Sequence, residues 1–235
     1  MQMLKFVIFE NYKRNTYKKF GGNMTKEGII FDLDGTLWDS SESVTNSWNE
    51  AIATYGNINY KMTVQAMKGF MGKTIDEIAA LFFADFSLDE RKQIVDRCLM
   101  YEQDYIEKNG GILFPEVEET LELLSSQYSL SIVSNCQEGY IEAFLKYYNL
   151  NKYFDDFENP GRTGKTKGEN IKLVTERNNL DRAVYIGDTE GDLCSARFAG
   201  IPFIHARYGF GKIKDVVPYV NSVSQIPAMV KEIIK

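Results

Sequence analysis

Apolar residues follow two different rhythms along this chain. Residues 28–32 (GIIFD) form a short, solid apolar run closed by a turn signal, which predicts a buried strand. Residues 41–108 contain no proline and repeat their apolar positions at helical spacing. Ser41 or Ser43 is expected to cap a first helix running to about Tyr55, and a second helix is expected over 62–68. Gly69 and Gly72 mark a loop. Thr74-Ile-Asp-Glu and Ser87-Leu-Asp-Glu are capping-box patterns, the second opening a long helix that stops near Asn109-Gly110-Gly111.

Beyond Pro115 the pattern alternates. A helix with Val117, Leu121 and Leu124 inward is followed by the strand SLSIVS (129–134). Ile141, Phe144, Leu145 and Tyr148 predict a helix, and Tyr153–Phe157 a short strand. Lys167–Asn179 reads as a helix with Ile171, Val174 and Leu180 inward. AVYIGD (183–188) is a strand, Ala196–Ala199 closes a helix before Gly200, and Pro202–His205 is expected as the last parallel strand. A helix over 225–235 ends the chain. Alternation of this kind predicts an α/β fold, a Rossmann-like parallel sheet core with helices on both faces. The stretch 41–108 is then an inserted all-α cap domain, and 24–40 with 109–235 the core.

Composition narrows the classes. The chain has 235 residues, 44% hydrophobic and 13% aromatic, enough for a real core. A net charge of −6 disfavours nucleic acid, which binds through basic surface. No apolar run of membrane-spanning length occurs, so no membrane partner and a cytoplasmic location are expected. Cys98, Cys136 and Cys194 lack metal-like spacing and are expected as buried free thiols. His205 is the sole histidine and is expected as a packed residue. Residues 1–23 stand apart, with five basic residues and one acid. The native start is expected at Met24, leaving 1–23 as a non-native or disordered extension.

The chemistry lies at the strand ends. In open α/β sheets, ligands bind outside the carboxyl ends of the strands. Asp32 and Asp34 stand at such an end, and side chains at i and i+2 of an extended chain point to one side. One carboxylate can attack while the other handles a proton. Gly35 permits a sharp turn, and Thr36 can offer a hydroxyl or N–H to an anion. Ser134-Asn135 ends the second apolar strand with a hydroxyl and an amide suited to phosphate oxygens. Asp188 and Asp192 follow AVYIG, and Lys165 and Lys167 open a helix. Carboxylates with a lysine are what a Mg²⁺–phosphate site needs.

The motifs IIFDLDGTLWDS, SIVSN, the lysine pair and AVYIGDTEGD, in that order, resemble the haloacid dehalogenase superfamily. The likeness spans roughly 27–232 and is strongest to the phosphoglycolate-phosphatase/β-phosphoglucomutase-like branch. It implies a Mg²⁺-dependent phosphatase acting on a small phosphorylated metabolite, as a monomer or homodimer. Asp32 matches the nucleophile and Asp34 the acid/base. Asp32, the backbone carbonyl of Asp34, and Asp188 match the metal ligands, with Asp192 the second acidic position that orients lysine or metal shell. Ser134 and Asn135, with Gly35 and Thr36, match the phosphate-binding positions. Relatives often show Lys-Pro at the third motif. Here GKTKGENI leaves Lys165 and Lys167 in competition, with Lys167 favoured. Lys73, in the GFMGKT loop, is the candidate substrate contact from the cap. Two alternatives follow from the same motifs: a sugar phosphomutase and a non-catalytic binding protein.

Overall fold

The computed structural model describes residues 17–20, 23–56 and 58–234. Its centre is a parallel sheet built from β2 (Asn23–Phe31), β5 (Ser129–Val133), β6 (Asp156–Glu158), β7 (Arg182–Gly187), β8 (Phe203–Ala206) and β9 (Tyr219–Val220). The strand order is β6-β5-β2-β7-β8-β9, so the two longest apolar runs, in β2 and β7, lie side by side at the centre. Burial on both faces explains why these strands read as continuous apolar runs rather than alternating ones.

Two changes to the main sheet were not legible in the sequence. β9 extends the sheet past β8, so the run ending at His205 is not the last strand; its two residues are too short for a pattern. The polar stretch Asn23–Glu27 lengthens β2, because Asn23–Lys26 pairs antiparallel with β1 (Tyr17–Phe20). The expectation for residues 1–23 otherwise lies outside the described residues. The short strand expected over 153–157 divides into a 3-10 turn, Asn151–Tyr153, and β6.

The pleat of the sheet decides which helices meet the site. Ile29 and Phe31 face one core cluster, with Leu130, Val184 and Ile186. Ile30 and Tyr185 face another, with Val133, Ile171 and Leu193. That second face is covered by α8 (Lys167–Arg177) and α9 (Glu190–Ala199). Asp32, two residues after Ile30, therefore emerges towards the N-termini of α8 and α9.

Four helices lie between the first strand-end motif and the rest of the sheet: α1 (Ser41–Ala53), α2 (Val64–Phe70), α3 (Ile75–Phe82) and α4 (Leu88–Asn109). The chain leaves and re-enters through β3 (Trp38–Asp39) and β4 (Ile112–Leu113), which pair antiparallel. Neither expected serine caps α1. The Asp39 carboxylate accepts from the Ser41 amide at 2.9 Å instead. The capping boxes at Thr74 and Ser87 are both formed. Trp48 is buried and stacks on Phe83 within this helical group, at 6.4 Å between centroids. Trp38 is fully buried against Tyr140 and Phe144 of α6 (Tyr140–Tyr147).

Candidate active site

Lys167 is the first residue of α8, placed there by a capping box between Thr166 and Glu169. Its ammonium reaches Asp32 Oδ1 at 2.8 Å and Asp192 Oδ1 at 2.6 Å. Lys165, two residues earlier, is exposed and stays outside the cluster. Asp192 sits in the first turn of α9, and its Oδ2 accepts from the amides of Asp188 and Thr189 and from the Thr189 hydroxyl. Asp188 follows β7, and its Oδ2 accepts from the amides of Phe210 and Gly211 at 2.7 and 3.0 Å. The 207–211 loop is thereby pinned over the strand ends, with the Tyr208 hydroxyl donating to the Thr36 carbonyl.

Asp32, Asp188 and Asp192 each offer an oxygen within 4.8 Å of the others, and all three are buried. One ammonium faces three carboxylates. Burial and the charge on Asp192 push Asp32 upward against the pull of Lys167. Asp188 is pushed up by burial and then by Asp192 and Asp32. Burial by itself would depress the Lys167 ammonium, but Asp192 and Asp32 outweigh it and hold it charged. The cluster thus lacks positive charge. Asp32 Oδ2 and Asp188 Oδ1 are buried with no protein partner. Two orphaned carboxylate oxygens beside uncompensated charge fit a divalent cation. Both oxygens of Asp192 are already engaged, which suits it to orienting Lys167 and the Asp188 backbone.

Gly35 makes the approach possible. Its φ is +84°, and a Cβ there would stand 2.4 Å from Asp188 Oδ2. Gly209 packs as closely, since a Cβ would lie 2.3 Å from the Gly35 carbonyl.

Asp34 departs from the extended-chain expectation. β2 ends at Phe31, and the Leu33 carbonyl accepts from the amides of Thr36 and Leu37. In this turn the Asp34 carboxyl stands beside the three-carboxylate group without being one of its members. Its Oδ1 accepts from the Ser40 hydroxyl and, at 3.1 Å, from the Tyr140 hydroxyl. Burial raises Asp34, with those two donors pulling the other way. The same turn consumes the Thr36 amide and leaves its hydroxyl buried and unpartnered.

Ser134 is buried at the end of β5. The Asn135 amide donates to the Gly72 carbonyl at 3.0 Å, tying the strand end to the helical group. Lys73 follows on that loop. A cavity of about 1130 Å³ opens between the helical group and the sheet, lined by Lys73, Asn135, Lys165, Lys167, Thr189 and Gly211 among others. A second space of about 40 Å³ is bordered by Asp34, Lys73, Glu102, Asn135, Gln137 and Tyr140. Cys136 is buried, whereas Cys194 is exposed, contrary to expectation, because it lies on the side of α9 that lines the large cavity. His205 is buried beside the site, as a packed residue.

Sequence reading missed Ser40, Tyr140 and Glu102. Glu102 had a signal: it occupies the buried stripe of α4 with Val95, Cys98 and Ile106. Its carboxylate accepts from Trp48 Nε1 and from Gln137 Nε2 at 3.0 Å.

The family described as haloacid dehalogenase-like hydrolase matches residues 29–206. The chain belongs to that family. A phosphoglycolate phosphatase of Cupriavidus necator is 28% identical over 189 residues, covering 77% of this chain and 81% of the relative. One from Aquifex aeolicus is 25% identical, covering 81% and 89%. A haloacid dehalogenase-like hydrolase from Streptococcus pneumoniae superposes with a TM-score of 0.76 at 26% identity, over 88% of this chain and 98% of that one. A predicted phosphatase from Clostridium acetobutylicum, at 24% identity, shares the fold with a TM-score of 0.73. Among the described residues, no helix is long and apolar enough to cross a membrane.

Proposed function

We propose that this chain is a Mg²⁺-dependent phosphatase that hydrolyses a small phosphate monoester, phosphoglycolate-like in size, through a phosphorylated Asp32. One observation carries the reading: the buried trio of Asp32, Asp188 and Asp192 holds a single ammonium and two unpartnered carboxylate oxygens. That arrangement is electrostatically incomplete without a cation and a substrate. The oxygen-only donor set suits Mg²⁺, held by Asp32, Asp188 and the Asp34 carbonyl, with Asp192 orienting the shell. The ion, when bound, neutralises charge on the transferring phosphoryl group.

The chain's own groups divide the remaining work. Asp32 attacks phosphorus while the bond to the leaving oxygen breaks. Asp34 delivers a proton to that oxygen, releasing an alcohol. Asp34, now a carboxylate, takes a proton from the water that attacks the phosphoryl group, freeing Asp32 and inorganic phosphate. Lys167 holds the Asp32 carboxylate and offsets charge beside it. Phosphate binding falls in this reading to the Thr36 and Ser134 hydroxyls, with Gly35 and Asn135. Lys73, half-buried on the cavity wall, is the substrate contact from the helical cap. Phosphate release from a panel of monoesters, with and without Mg²⁺, tests the reading. Activity that needs Mg²⁺ and vanishes in Asp32→Asn is expected; hydrolysis undiminished in Asp32→Asn would sink it.

A further inference from the structure

We propose that Tyr140, together with Ser40, is a positioning residue for Asp34: both hydroxyls bind Oδ1, so that Oδ2 is the oxygen presented to the leaving group. The proposal rests on the phosphatase reading above.

Both hydroxyls converge on one oxygen of Asp34, whose carboxyl the Trp38 side chain also approaches. Tyr140 donates to Oδ1 at 3.1 Å, and the Ser40 hydroxyl donates to the same atom. Tyr140 has no freedom to turn its hydroxyl to solvent. It is 2% exposed, opens α6 behind Gly139, and packs edge-on against Trp38 at 5.8 Å. The carbonyl of Gly139 is in turn held by Gln103 of α4 at 3.1 Å. Tyr140 and Asp34 also border the small 40 Å³ space.

The chemistry needs such an arrangement. A carboxyl group that protonates a leaving oxygen must carry its proton on the oxygen facing that atom. An oxygen accepting two O–H donors is a poor place for the proton, because its lone pairs are taken. The proton is therefore kept on Oδ2. In the first half-reaction Asp32 bonds to phosphorus, the P–O bond to the alcohol breaks, and the Oδ2 proton passes to the departing oxygen. Asp34 is left as a carboxylate, and the same Oδ2 receives the proton of water in the second half. A buried tyrosine hydroxyl needs a hydrogen-bond partner whatever its role; the structural and positioning roles separate by experiment.

The test compares two leaving groups. Values of kcat/KM report steps up to leaving-group release, so water attack does not enter. Tyr140→Phe keeps the ring and removes the donor. For whichever of phosphoglycolate, glycerol phosphate or a sugar phosphate wild type hydrolyses best, kcat/KM should fall roughly ten- to a hundredfold, part of the ~10²–10⁴ of general acid catalysis. For p-nitrophenyl phosphate, whose phenolate leaves without a proton, the fall should stay under about threefold. In an Asp34→Asn background, Tyr140→Phe should add no further selective loss. Ser40→Ala, which leaves the aromatic packing alone, should show the same selectivity and serves if Tyr140→Phe melts below assay temperature. Equal losses on both esters, or a selective loss that persists without Asp34, overturn the proposal alone. Wild type hydrolysing neither ester with Mg²⁺ overturns the phosphatase reading and this inference with it.

Discussion

The Asp192 carboxylate accepts from the Lys167 ammonium at 2.6 Å while its other oxygen holds the Asp188 and Thr189 amides. One residue therefore links the N-termini of α8 and α9 to the end of β7. Lys167 is positioned by this contact as much as by Asp32. Its removal would leave three buried carboxylates with no counter-charge.

Lys167→Met should lower kcat/KM by about 10²–10³, the range for losing one preorganised electrostatic donor. It should also cost about 3 kcal/mol of stability, as unpaired buried charge does. Lys165→Met should leave stability within about 0.5 kcal/mol, since that side chain is exposed. Urea unfolding with parallel assays measures both.

Metal binding should be visible in thermal melts. Mg²⁺ at a hundred times its Kd should add about 2.7 kcal/mol to wild type. Asp188→Asn can keep the Phe210 and Gly211 amides on its remaining oxygen while removing charge from the cluster. It should melt above wild type in EDTA, gain little from Mg²⁺ and be inactive. A Mg²⁺ shift equal to that of wild type would count against Asp188 as a ligand.

Glu102, which borders the same small space as Asp34, predicts a pH effect on stability. Burial lifts it from 4.5 to about 7, against the donors Gln137 and Trp48. The folded state keeps a proton that the unfolded chain releases between those values. Stability from this group is full below about pH 4.5, falls as pH rises through the window, and is flat above 7. Glu102→Gln must aim an amide at one of its two donors, so it should be less stable throughout. Its melting temperature between pH 4.5 and 7 should nevertheless fall less steeply than wild type's. Parallel curves would reject the assignment.

Gly35→Ala should be among the most damaging small substitutions. It combines a left-handed φ with a 2.4 Å clash on Asp188 Oδ2. A loss of about 2 kcal/mol or more is expected by chemical denaturation, with activity lost as the 207–211 loop is displaced.

Much of this protein was legible in its sequence. The apolar runs of β2, β5 and β7, each closed by Asp or Ser-Asn, identified both the parallel sheet and the edge at which polar groups gather. The capping boxes at Thr74 and Ser87 were readable because such signals are local, within four residues. Tertiary structure decided the rest. Whether Lys165 or Lys167 meets Asp32 depends on where α8 begins relative to a strand 135 residues earlier. The Asp34 carboxyl does not join the carboxylate trio because β2 ends one residue before Asp32, and the partner it finds, Tyr140, is 106 residues away. Glu102 lies on an apolar stripe, but its donors come from α1 and from the loop before α6. Periodicity reports which face of an element is buried. It carries no record of what that face meets, and buried polar groups are defined by their partners.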